Sequence, residues 1–178
     1  DVVEGLRARG IPHRSLVVGD GPARAGLAAR LPETVFTGYL GGDALARAYA
    51  SSDVFLFPSD TETFGNVTLE AMASGIPTVC ADATGSNALV DHGTTGFLAP
   101  PGASATFLDY VARLVTDASL RHEMGAAALA LAHTFEWDAI LARIAGYYDE
   151  VLNPVYAGDG FTAEPSRPAA PSLAVVPA

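Results

Sequence analysis

The sequence predicts an α/β fold of the doubly wound kind, a parallel sheet between helices followed by a block of C-terminal helices. Three observations predict it. Short, nearly continuous apolar runs recur along the first hundred residues, and such runs fit strands buried on both faces. Helical patterns lie between those runs, so that strand and helix alternate. After residue 100 the strand signals stop and three long helical patterns follow.

In chain order, DVVEGLRARG reads as the end of a helix that stops at Gly10. The strands are expected at residues 16–18, 35–37, 54–57, 78–80 and 97–98, each apolar and rich in Val, Phe, Leu or Thr. Helices are expected at 22–31, 43–50 and 65–73, the last ended by Gly75 and Pro77. Beyond residue 100 the helices are 104–117, 119–133 and 137–152. Phe107, Leu108, Val111, Leu114 and Val115 recur at three- and four-residue spacing, as do Ile140, Leu141, Ile144, Tyr147, Tyr148 and Val151. These helices are expected to pack, with Trp137 as a core anchor. From Asn153 onward five prolines and six alanines fall within 26 residues without periodicity. The expected organisation is therefore one domain over residues 1–152 and a disordered Pro/Ala-rich tail over 153–178.

Composition excludes several function classes. The 178 residues carry 10 basic and 20 acidic side chains, a net charge of −10, and every basic residue is arginine. Neither nucleic acid nor an anionic membrane would be attracted to such a chain as a main partner. Hydrophobic residues make up 49% and charged residues 17%, which supports a folded core. The single cysteine, Cys80, can form no intrachain disulfide and no cysteine-based zinc cluster, and is expected as a small core residue. No apolar run approaches the roughly 18–20 residues a membrane helix needs. Together these point to the cytoplasm. Because the chain opens on Asp1 at the end of a helical pattern, it reads as a fragment of a longer protein.

Two segments carry chemistry. Gly19, Asp20, Gly21 and Pro22 follow a strand and open a helix, where glycines permit a tight turn and close approach of backbone to ligand. Such a turn is also a common structural feature, and it lacks the Gly-Lys-Ser/Thr of a Walker A loop. The second segment, PSDTETFGNVTLEAMASGIP, follows an apolar strand and so emerges at the strand's carboxyl end, where open α/β sheets bind ligands. Glu62 lies in the turn, Phe64, Gly65, Asn66 and Val67 open the helix, and their amides suit an anion such as pyrophosphate. Glu70 lies about a turn and a half further in, within reach of hydroxyls beside that anion. Two carboxylates flanking an anion site suit a nucleotide sugar. The same spacing also fits a Glu62 that merely caps the helix and a solvated Glu70, or an Asp60/Glu62 pair holding magnesium on a diphosphate.

The second segment resembles the donor-site signature of retaining GT-B glycosyltransferases of the glycosyltransferase group 1 family, with seven residues between its two glutamates and its EAMASG-type helix. The likeness runs from about Leu16 to Leu152 through VGDGP, FTGYL, YASSDVFLFPSDTETFGNVTLEAMASGIPTV, HGTTGFLAPPG and FEWDAI. It implies the Rossmann-like C-terminal half of a GT-B fold, the half that binds the nucleotide sugar. Transfer of a hexose to a hydroxyl acceptor, lipid or glycan, would then occur against an N-terminal acceptor domain not contained in this sequence. No metal or other cofactor is implied, and that missing domain leaves room for a peripheral contact with the inner face of the membrane.

By the same resemblance Glu62 orients the donor sugar as the catalytic residue. The backbone at Phe64, Gly65, Asn66 and Val67 approaches sugar and phosphates, joined by Gly19 and Gly21, while Glu70 holds the ribose and Tyr39 and Leu40 border the base. The wording of the segment is similar to that of mannosyltransferases acting on lipids or glycans, which implies GDP-mannose ahead of a UDP-hexose. Two departures stand out. The Arg and Lys that neutralise the pyrophosphate in the family lie upstream of Asp1, and this sequence has no lysine. Ala88 stands where many members carry a glutamate, which leaves Ser86 and Asn87 to contact donor or acceptor. A non-catalytic nucleotide-binding or interaction module is the alternative. The four histidines show no metal spacing, and only His92 lies near the site loop.

Overall fold

The computed structural model describes residues 1–152; the expected tail lies outside them. The chain divides into two compact units, Asp1–Ile140 and the stretch from Leu141 onward. The first unit holds α1 (Val2–Ala8), β1 (Leu16–Val18), α2 (Arg24–Arg30), β2 (Val35–Gly38), α3 (Gly42–Ala50), β3 (Phe55–Phe57) and α4 (Asn66–Ala73). It continues with β4 (Thr78–Ala81), α5 (Ser86–Leu89), β5 (Gly96–Ala99), α6 (Ser104–Thr116) and α7 (Ala118–Ala132). A short 3₁₀ turn at His133–Phe135 leads to α8 (Trp137–Leu152), most of which forms the described part of the second unit.

Every strand pairing is parallel, as the alternation of strand and helix predicts, but the strands form two sheets rather than one. β3, β4 and β5 make a three-stranded sheet with β4 in the centre, in register from Phe55–Thr78–Gly96 onward. β1 and β2 pair separately, with an irregularity between Val17 and Val18.

The three-stranded sheet organises the core because successive side chains of a strand face opposite sides. Val79 and Ala81 of β4 join Phe97 and Ala99 of β5 in a cluster closed by Leu6 of α1, Phe107, Val111 and Leu114 of α6, and Met124 of α7. Cys80 points the other way, into a cluster with Met72 of α4, Leu89, Val90 and Ala128. Burial pushes the Cys80 thiol up from its ordinary pKa, so it stays protonated and behaves as a small apolar group. Helix α6 follows its apolar face closely: Phe107, Val111 and Leu114 are all buried. The turn to α7 is fixed twice. Asp117 caps α7 by accepting the Leu120 amide at 3.0 Å, and Arg121 donates to the free Leu114 carbonyl at 2.8 Å.

Two expectations about burial fail. β1 and β2 are not covered on both faces: Leu16 is 41% and Val35 59% exposed. An apolar run reports what a strand is able to bury, not whether anything covers it. For the same reason Trp137, expected as a core anchor, is 76% exposed. Leu141, Ile144, Tyr147, Tyr148 and Val151 along α8 are likewise exposed.

Candidate donor-binding site

The turn between β3 and α4 is built around two glycines. Gly65 caps α4 with φ of 94°, a left-handed conformation that a residue with a Cβ adopts only under strain, and its carbonyl accepts the Leu69 amide at 2.9 Å. Gly85, φ 88°, lies against it. A Cβ on Gly85 would sit 2.9 Å from the Glu62 carbonyl oxygen and 3.1 Å from the carbonyl carbon of Phe64. The loop carrying Glu62 and Phe64 therefore rests on the backbone of the turn between β4 and α5, at the carboxyl ends of two adjacent parallel strands.

Within that frame Glu62 is half-buried, and its Oε1 accepts the Gly65 amide at 3.3 Å. The capping role that spacing alone allowed is thus present, and it holds the carboxylate at the mouth of α4. The first-turn amides of Asn66, Val67 and Thr68 have no side-chain cap. Phe64 and Asn66 are exposed beside them and Val67 is partly so. Glu70, exposed on the outer side of α4, is not merely solvated: the Tyr49 hydroxyl donates to its Oε2 at 3.0 Å.

Ser86 and Asn87 divide. Ser86 is wholly buried, its hydroxyl 3.5 Å from that of Thr68, so its side chain faces the core and cannot reach a ligand in this conformation. Asn87 is exposed and keeps that possibility. His92 has a structural role: its Nδ1 accepts the Leu98 amide at 3.0 Å, and its ring meets Phe97 and Tyr110 edge-on.

The other sequence-predicted residues sit on the two-stranded sheet. The Gly19 amide donates to the Gly38 carbonyl at 2.8 Å, tying the glycine turn after β1 to the end of β2, where Tyr39 and Leu40 follow. Gly19, Gly21, Pro22, Arg24, Leu27 and Phe36 are among the residues around a cavity of about 170 Å³ there. Tyr39 is 83% exposed and Leu40 partly exposed. No hydrogen bond among the described residues links this turn to the Glu62 loop. Two polar groups escaped sequence reasoning, Arg24 beside the glycine turn and Tyr49 against Glu70. Arg24 stands four residues after Asp20, a spacing that could have suggested their 3.7 Å ion pair, whereas Tyr49 and Glu70 are too far apart in sequence to be matched by period. Among the described residues no group of three or more His, Cys, Asp and Glu gathers around one point, so the magnesium alternative rests on Asp60 and Glu62 alone.

Residues 1–117, which include both glycine turns and both glutamates, match the family model described as glycosyl transferases group 1. The chain belongs to that family. Among its relatives, the GDP-mannose-dependent alpha-mannosyltransferase of Mycobacterium tuberculosis is 40% identical over 152 residues, 85% of this chain and 39% of that protein. The structure of Anabaena HepE in complex with UDP and glucose is 26% identical with a TM-score of 0.69, covering 84% of this chain and 44% of that one. The crystallised C-terminal domain of a glycosyl transferase group 1 protein from Francisella tularensis is 17% identical. It aligns with a TM-score of 0.60 over 76% of this chain and 92% of that domain, a likeness of fold. The chain spans about a third of the length of the curated relatives it matches. No helix among the described residues is long and apolar enough to cross a membrane.

Proposed function

We propose that this chain is the donor-binding half of a retaining, metal-independent glycosyltransferase that moves a hexose, mannose from GDP-mannose by preference, to a hydroxyl acceptor. One observation carries the reading: Glu62 and Glu70 flank the uncapped first turn of α4, with Glu62 held by the Gly65 amide. A diphosphate at that turn would receive the Asn66, Val67 and Thr68 amides and the positive end of the helix dipole. As the sugar–phosphate bond breaks, charge grows on the departing diphosphate, and fixed donors aimed at it lower the barrier. Glu62 accepts from sugar hydroxyls and sets the angle of the anomeric carbon; Glu70 accepts from the ribose. Tyr39 and Leu40 border the base on the other sheet, and the M. tuberculosis relative's GDP-mannose supports the choice of donor.

In this reading the cations that neutralise the diphosphate and the acceptor domain are supplied from outside these 178 residues. These 178 residues alone therefore transfer no sugar, and acceptor glycosylation by them would sink that reading. The decisive experiment is calorimetric titration of the full-length protein with GDP and UDP beside a sugar-transfer assay. GDP is expected to bind at least tenfold more tightly, about 1.4 kcal/mol, whereas a tenfold UDP preference would overturn the donor and leave the reaction class standing. Binding without transfer would favour a non-catalytic nucleotide-binding module instead.

A further inference from the structure

Helix α3 ends close to α4, and the contact is polar. Tyr49, in the last turn of α3, packs its ring against Phe55 of β3 at a centroid distance of 5.9 Å, and Phe55 in turn stacks on Phe57 at 5.8 Å. The ring is thereby fixed in place by the strand that delivers the Glu62 loop. Its hydroxyl reaches Glu70 Oε2 at 3.0 Å and the Val67 carbonyl at 3.3 Å. A phenol has one proton, and the shorter, charge-assisted bond to the carboxylate is the stronger of the two.

Glu70 by itself is poorly fixed, because an exposed glutamate samples several rotamers and loses that freedom only on binding. With Oε2 engaged by Tyr49, the side chain is held before any ligand arrives and Oε1 is left to accept. We propose that Tyr49 is a positioning residue for nucleotide binding, holding the Glu70 carboxylate toward the ribose hydroxyls of a nucleoside diphosphate. This rests on the donor-site reading of Glu70. Burial foremost, and then the Glu70 carboxylate, raise the Tyr49 pKa well above the ordinary phenol range, so the hydroxyl keeps its proton and remains a donor at any working pH.

The test uses the full-length protein and four proteins in all: wild type, Tyr49→Phe, Glu70→Ala and the double variant. Each is titrated calorimetrically with GDP and with 2′,3′-dideoxy-GDP, and with the uridine pair in parallel. Wild type should prefer the ribonucleotide by about tenfold, the worth of one hydrogen bond to a charged group. Tyr49→Phe keeps the ring and its packing, so affinity for the dideoxynucleotide should not change, while the preference for the ribonucleotide falls to about two- to threefold. In the Glu70→Ala background the tyrosine substitution should change nothing further. In turnover, Tyr49→Phe should raise the donor KM and leave kcat within about twofold, since a ribose contact is made equally in ground and transition states.

Equal losses for both nucleotides in Tyr49→Phe would mean that the hydroxyl serves the fold, and an unchanged preference would mean that it does nothing for Glu70; either overturns the positioning role while Glu70 keeps its own. A wild type that does not distinguish the two nucleotides, together with a silent Glu70→Ala, would remove the ribose contact itself and both readings with it.

Discussion

The two sheets are built from similar apolar strands and end in different states. In β4 all four residues are buried, because α4 and α5 lie against one side, α6 against the other, and β3 and β5 flank it. In β1 and β2 only Gly38 is fully buried, although Leu16, Val18 and Val35 are as apolar as anything in β4. The contrast teaches that burial in this protein comes from neighbours rather than from strand composition. It also divides the candidate site: Glu62, Phe64–Val67, Glu70 and Asn87 stand on the well-covered sheet, while Gly19, Gly21, Tyr39 and Leu40 stand on the thinly covered pair. The proposed donor contacts are therefore divided between a well-covered and a thinly covered part of the protein.

The most direct way to break this comparison is to truncate one side chain in each region. Met72→Ala or Leu114→Ala, both removing fully buried groups, should cost about 2–5 kcal/mol of unfolding free energy. Val35→Ala, at a 59% exposed position, should cost less than about 0.5 kcal/mol. Urea melts of the full-length protein read both, and equal losses would mean that β1 and β2 are covered after all.

A second prediction sharpens the division of labour within the site. Glu62→Ala should lower kcat by about 10- to 100-fold, the range of a hydrogen bond to a charged group that strengthens in the transition state, with little change in nucleotide affinity. Glu70→Ala should do the reverse, weakening nucleotide binding with a smaller effect on turnover. Steady-state kinetics beside calorimetry separates the two, and unchanged values for both variants would remove the site assignment.

A third prediction tests the seam between the Glu62 loop and its support. Gly85→Ala forces a Cβ into a left-handed position and against the Glu62 carbonyl oxygen, at a cost of about 1–3 kcal/mol. Because the displaced segment carries Glu62, turnover should fall while the cavity beside Gly19 and Gly21 keeps its shape. A melting temperature and a turnover number both equal to wild type would show that the loop does not rest on Gly85.

Much of this was legible in the sequence, and the exceptions have physical reasons. The order of elements could be read because Gly75 and Pro77 stop α4 and release β4, and because α6 repeats Phe107, Val111 and Leu114 on one face. The Glu62 loop was legible because a strand, a glycine and a helix start leave few places for a ligand. The split into two sheets was not, since no local pattern reports which strands become neighbours. The exposure of Trp137 was hidden likewise, and so was the inward turn of Ser86, whose hydroxyl finds Thr68 eighteen residues away. The Tyr49–Glu70 contact spans 21 residues and two helices, a distance over which periodicity carries no information.

One glycine of α7, at the far end of α4 from Glu62, has a further consequence. A Cβ on Gly125 would collide with the Gly75 carbonyl oxygen, because α7 runs directly against the turn that ends α4. Helix α4 is eight residues long, about 12 Å, so its clamped end and the end beside Glu62 are two ends of one short rod. Tilting the clamped end swings the other, and with it the amides and both glutamates. A substitution at Gly125 is therefore expected to disturb the Glu62 loop without touching any residue of it.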